Sequence, residues 1–200
     1  MNIIVKELKE HSPFTWFGTL TGIALMALIV KLDVPRYVSE NIFWILHPTH
    51  VLMSAWVTAG IYHANSKSKK ILPTVVVGYL GAIGVGTLSD CIIPYLGELL
   101  LNMPHADHHI GFIERWWVVN PLAISGALIG VVWTTTKYPH ATHVLLSTWA
   151  SLFHIIMAMG SGFNAIEMVI IGVSLFLAVW VPCCVSDIVF PLLFTKKTYK

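Results

Sequence analysis

The decapeptide His47-Pro-Thr-His-Val-Leu-Met-Ser-Ala-Trp56 returns as His140-Ala-Thr-His-Val-Leu-Leu-Ser-Thr-Trp149, with seven of the ten positions identical. A second echo follows each copy: Leu88-Ser-Asp90-Cys-Ile-Ile-Pro94 answers to Val185-Ser-Asp187-Ile-Val-Phe-Pro191. The same two motifs in the same order mark the chain as an internal duplication. Each copy brings a histidine pair and one aspartate into otherwise apolar surroundings. Those are the side chains that chance and packing explain least.

The rest of the sequence says what solvent the two copies fold in. Hydrophobic residues make up 56% of the 200 positions and charged residues 11%, against about 25% charged in soluble domains. Six apolar runs, 14–30, 45–62, 71–99, 118–135, 144–159 and 166–194, approach or exceed the roughly 20 residues that cross a bilayer. The expected fold is an all-α integral membrane protein of six transmembrane helices, with the lipid bilayer as its first partner. Residues 1–101 form one three-helix repeat and 118–200 the other, and 102–117 form a His-rich loop between them. Three crossings per copy is an odd number, so the second copy is expected upside down. Inverted repeats of this kind are a recurrent plan of membrane transporters.

Basic residues set the expected orientation. Nine lysines (Lys6, Lys9, Lys67, Lys69, Lys70, Lys137, Lys196, Lys197, Lys200) fall on one side, and Lys31, Arg36 and Arg115 on the other. The positive-inside bias then puts both termini in the cytoplasm of a multi-pass protein of the cell membrane. A net charge of +2 gives no reason to expect nucleic acid. Cys91, Cys183 and Cys184 all lie within predicted helices, where a disulfide framework is not expected. Gly78, Gly81 and Gly84, and the pair Gly126 and Gly130, have the spacing that lets helix backbones approach closely in lipid. Such faces also leave assembly into a homo-oligomer open.

His47 and His50 are one helical turn apart and share a face; so do His140 and His143. Depth counted along predicted helices 3 and 6 brings Asp90 level with the first pair and Asp187 level with the second. Two clusters are therefore expected, His47/His50/Asp90 toward the outer face and His140/His143/Asp187 toward the inner one. Two imidazoles and a carboxylate form a ligand set for a divalent ion, Zn²⁺ above all. Pro94 and Pro191, four residues after the aspartates, remove the helical hydrogen bond to each aspartate's carbonyl. Accessory positions are Ser89 and Ser186 beside the aspartates, Cys183 and Cys184 one turn before Asp187, His63 and His154 further along helices 2 and 5, and His105, His108 and His109 in the loop.

The stretch His105-Ala-Asp107-His108-His109 resembles one histidine box of membrane di-iron desaturases and hydroxylases over five residues. The further boxes those enzymes need on the same membrane face are missing, and no family is assigned. The leading expectation is a transporter or channel for a divalent transition-metal cation. A membrane-embedded metal-dependent hydrolase with His/His/Asp-bound Zn²⁺ and a non-catalytic subunit of a membrane complex are the alternatives.

Overall fold

The computed structural model describes residues 3–134, 137–159 and 165–195; at 3–11, 137–140, 165, 184, 186 and 187 only the backbone is described. Among the described residues all regular structure is helical. The elements are α1 (Ile3–Lys31), α2 (Arg36–Asn65), α3 (Ile71–Thr87), α4 (Ile93–Leu100), α5 (Gly111–Glu114), α6 (Trp116–Val132), α7 (Lys137–Ala158), α8 (Ala165–Cys184) and α9 (Phe190–Leu193).

Two five-residue π turns join shorter elements into longer rods. Leu88–Ile92 links α3 to α4, and Val185–Val189 links α8 to α9. The local cause lies in the sequence. Pro94 has no N–H to offer the Asp90 carbonyl, and its ring crowds that oxygen. The chain widens by a residue, and the Ile93 amide reaches back five positions to the Leu88 carbonyl. Pro191 stands in the same relation to Asp187. π turns of this kind are frequent at functional positions.

Among the described residues, four helices are long and apolar enough to cross a membrane: Ser12–Lys31, Ile71–Leu100, Ala141–Ala158 and Ile166–Cys183. The sequence predicts six such segments, and the two that differ do so for separate reasons. At 17 residues, α6 is at the lower end of the roughly 17–25 that a bilayer requires. For α2 the length suffices, but its polar content is high. Its Ser39, His47, His50, Ser54 and Thr58 are all buried, so that neighbours, not solvent, cover its polar face.

That places α2 at the centre of the bundle, against α3, α6 and α7. Glycines bring α6 and α3 close to it. A side chain at Gly126 would strike the Leu52 carbonyl, one at Gly130 the Trp56 carbonyl, and one at Gly78 would lie 2.7 Å from the Ala59 Cβ. Gly84 differs from its two expected partners, since its Cα faces open space. The second inner helix is α7, whose apolar span is 72% buried, against 33% for those of α1 and α8. The outside of the bundle is apolar. Phe17, Leu20, Leu72, Leu80, Val169, Val173 and Leu177 are all exposed. A belt of that extent would be a liability in water and is what contact with lipid tails demands.

Candidate metal centre

Polar groups enclosed by the apolar shell are concentrated where α2 and α7 meet the first π turn. His47, His50, Ser89, Asp90, His143 and Ser147 are each at most 1% exposed. Asp90 is the hub. Its Oδ2 accepts from His47 Nδ1 at 2.9 Å and from His50 Nδ1 at 2.6 Å. Its Oδ1 accepts from Ser89 Oγ at 2.7 Å and from Ser147 Oγ at 2.8 Å. Ser151, one turn further along α7, donates to the Ser89 carbonyl at 2.8 Å. The π turn swings Asp90 into this position, and the serines tie α7 to it.

The tautomers follow from these contacts. A buried carboxylate is an acceptor only, so each imidazole presents Nδ1–H to it, the tautomer that in a neutral ring leaves the lone pair on Nε2. A histidine held by a carboxylate at one nitrogen, with the other nitrogen turned toward a ligand position, is the usual arrangement behind a metal. The two rings differ in what their Nε2 meets. The Nε2 of His47 abuts the backbone of Gly111, where any side chain would collide with the ring. The Nε2 of His50 is buried and has no hydrogen-bond partner among the described residues. That leaves a basic atom enclosed in protein, a costly state unless something fills it.

What lies next to His50 comes from the second half of the chain. The sequence predicts the two histidine pairs at opposite faces; in the structure the imidazoles of His50 and His143 stack, with centroids 5.8 Å apart and planes 10° from parallel. The difference arises at the start of α2. The helix begins at Arg36, nine residues before the apolar run 45–62, so His47 and His50 lie well inside it. Cys183 completes the group. One donor atom from each of His50, His143 and Cys183 lies within 4.8 Å of the other two. A tetrahedral zinc ion, with Zn–N near 2.0 Å and Zn–S near 2.3 Å, holds such donors about 3.5 Å apart. Closing on an ion therefore takes little more than an ångström of movement. The donors also suit the metal, since thiolate and imidazole together favour zinc or copper over the hard ions.

The remaining sequence-singled residues distribute as follows. The side chains of His140, Ser186, Asp187 and Cys184 lie outside the described residues. His63 pairs with Thr74 at 3.1 Å near the far end of α2, away from the group. His105 is held through its backbone to the Ala158 carbonyl, and His108 lies beside Asp107, both more than half exposed. His109 and His154 belong to a separate cluster with Glu98. Sequence reasoning missed Glu98, Ser147 and Ser151. Glu98 could have been found, because an acidic residue within an apolar helix is a functional candidate by default. Ser147 lies in the repeated decapeptide itself.

Compared with models of protein families, with curated proteins and with solved structures, the chain matches none.

Proposed function

We propose that this is a membrane protein that binds one transition-metal ion, zinc by the character of its donors, and carries it across the bilayer. His50, His143 and Cys183 are the ligands in this reading, and Asp90 orients and polarises His50 from behind. The observation that carries it is the grouping of one donor atom each from His50, His143 and Cys183 within 4.8 Å, together with a buried His50 Nε2 that has no hydrogen-bond partner among the described residues.

The reading treats the chain as six crossings in two inverted repeats. Its support is the repeated sequence together with the two π turns, each two residues before its proline. Under that symmetry one ligand histidine comes from each repeat, so the ion sits at the interface between them. Rocking one repeat against the other would then open the site to alternate faces, as in other inverted-repeat carriers. The three-donor set leaves a fourth coordination position for water or for a group that hands the ion on.

That same open position supports a second reading, a zinc hydrolase whose metal-bound water attacks a substrate within the membrane. Two measurements separate the readings. Elemental analysis of chain purified without chelators is expected to give one zinc per chain, falling to none in His50→Ala. Liposomes holding the wild-type chain and a zinc-sensitive dye are expected to show zinc entry that the variant lacks. Stoichiometric zinc with no entry would leave the hydrolase; no bound zinc would remove both.

A further inference from the structure

A second buried acid and imidazole lie apart from the metal ligands. Glu98 on α4 and His154 on α7 are both closed off from solvent, and His154 Nδ1 stands 2.6 Å from Glu98 Oε1. A proton occupies that contact whichever group owns it. The outer atoms of the pair differ in character. Glu98 Oε2 accepts from the Asp107 amide at 3.3 Å, whereas His154 Nε2 has no hydrogen-bond partner among the described residues.

Neither protonation state of this pair is fully satisfied. With the shared proton alone, the pair carries a net negative charge inside an apolar cluster that includes Phe43, Phe153 and Met157, and an uncompensated buried charge is strongly disfavoured. A second proton at Nε2 removes the charge but leaves a buried N–H without an acceptor, which is also costly.

A third imidazole stands beside this pair, edge to face with His154. The His109 ring lies 5.3 Å from that of His154. His109 is itself only 15% exposed, and its Nδ1 is 3.5 Å from a carboxylate oxygen of Glu114, which is 39% exposed. His109 has φ 37°, a left-handed backbone uncommon for a residue with a side chain. Other charged or titratable groups also face this end of the bundle. On α2, His47 stacks on the same Phe43 that meets His154 edge-on. The connection contributes His105 and Asp107, α6 is preceded by Arg115 over the Trp44 ring, and α8 begins with the half-buried Glu167.

We propose that Glu98 and His154 form a proton-exchange site, reached through His109, whose protonation is linked to occupancy of the metal site. The link is α7. It is bonded to the Ile71–Leu100 rod at both places, through Ser147 and Ser151 to Asp90 and Ser89, and through His154 to Glu98. Movement of α7 onto an ion therefore alters the Glu98–His154 contact. The linkage rests on the metal-carrying reading; the proton exchange does not.

Infrared difference spectra between acidic and neutral samples of the full chain in lipid read carboxyl protonation directly. The expected result is a buried-carboxyl band in the wild type that Glu98→Gln removes and His154→Gln shifts. Glutamine keeps an oxygen for the Asp107 amide and turns an N–H, which cannot titrate, toward His154 Nδ1. A wild-type spectrum without a buried-carboxyl band, or a band untouched by Glu98→Gln, overturns the proposal. Proton uptake after a pH jump is expected to slow at least tenfold in His109→Ala, and an unchanged rate overturns the route. Zinc added to lightly buffered wild type is expected to release more protons than zinc added to Glu98→Gln, and equal release overturns the linkage. If the Glu98 band is present but zinc does not bind, the metal reading fails and the proton site stands.

Discussion

The imidazoles of His50 and His143 lie face to face, 5.8 Å between centroids and 10° from parallel, although 93 positions separate them in the sequence. They are the second histidines of two copies of one motif. Each copy thus supplies one ring to the same buried point, and Cys183 supplies a thiol beside them.

Asp90 accepts four hydrogen bonds, from His47, His50, Ser89 and Ser147. Asp90→Asn keeps one acceptor oxygen and loses the charge that, in the proposed centre, would strengthen His50 as a ligand. Zinc affinity, measured by competition with a chromophoric chelator, is expected to fall about 10–100-fold. Asp90→Ala strands buried groups on both sides and is expected to cost about 3–5 kcal/mol of stability, read from thermal unfolding in detergent. An Asp90→Asn protein with unchanged zinc affinity would contradict its role behind His50.

Ser147 ties α7 to the π turn. Its removal as Ser147→Ala leaves Asp90 with three donors and is expected to destabilise the fold by about 1–3 kcal/mol. The zinc affinity should drop less than in Asp90→Asn, because the His50 contact survives. A larger drop than in Asp90→Asn would place Ser147 nearer to the ion than the geometry allows.

Two glycines make opposite predictions. Gly126 rests on the Leu52 carbonyl, and Gly84 faces open space. Gly126→Ala is expected to push α6 off α2 at a cost of about 1–3 kcal/mol. Gly84→Ala gains helix propensity of up to about 1 kcal/mol and meets nothing. Melting temperatures of the two variants should therefore move in opposite directions.

Gly111 covers the Nε2 of His47. Gly111→Ala displaces that ring and is expected to cost about 1–3 kcal/mol, while the protein retains one zinc per chain. Loss of zinc in this variant would make His47 a ligand and shift the centre toward the 101–115 connection.

The sequence made the duplication, the histidine pairs and both aspartates legible, because polar residues repeated inside apolar runs stand out against their surroundings. It set His50 and His143 apart, whereas their rings stack. The apolar run begins at 45, whereas the helix begins at Arg36, and Arg36, Ser39 and Glu40 lie in the nine residues between. That polar first stretch carries no hydropathy signal, and without it the pairs fall at opposite ends. The role of Asp90 was not legible either. Whether a carboxylate meets a metal or the Nδ1 of the histidine that holds one depends on side-chain geometry within an ångström or two, which spacing does not encode. Glu98 was legible as an acid within an apolar helix, but its pairing with His154 was not, because the two come from helices distant in the sequence.

X-ray absorption at the zinc edge of the loaded, membrane-embedded chain tests the metal centre most directly. The expected spectrum has one sulfur neighbour at about 2.3 Å with nitrogen neighbours at about 2.0 Å, and it loses the sulfur shell in Cys183→Ser. A zinc shell of oxygen and nitrogen alone in the wild type, or no zinc retained by a folded wild-type chain, would contradict it.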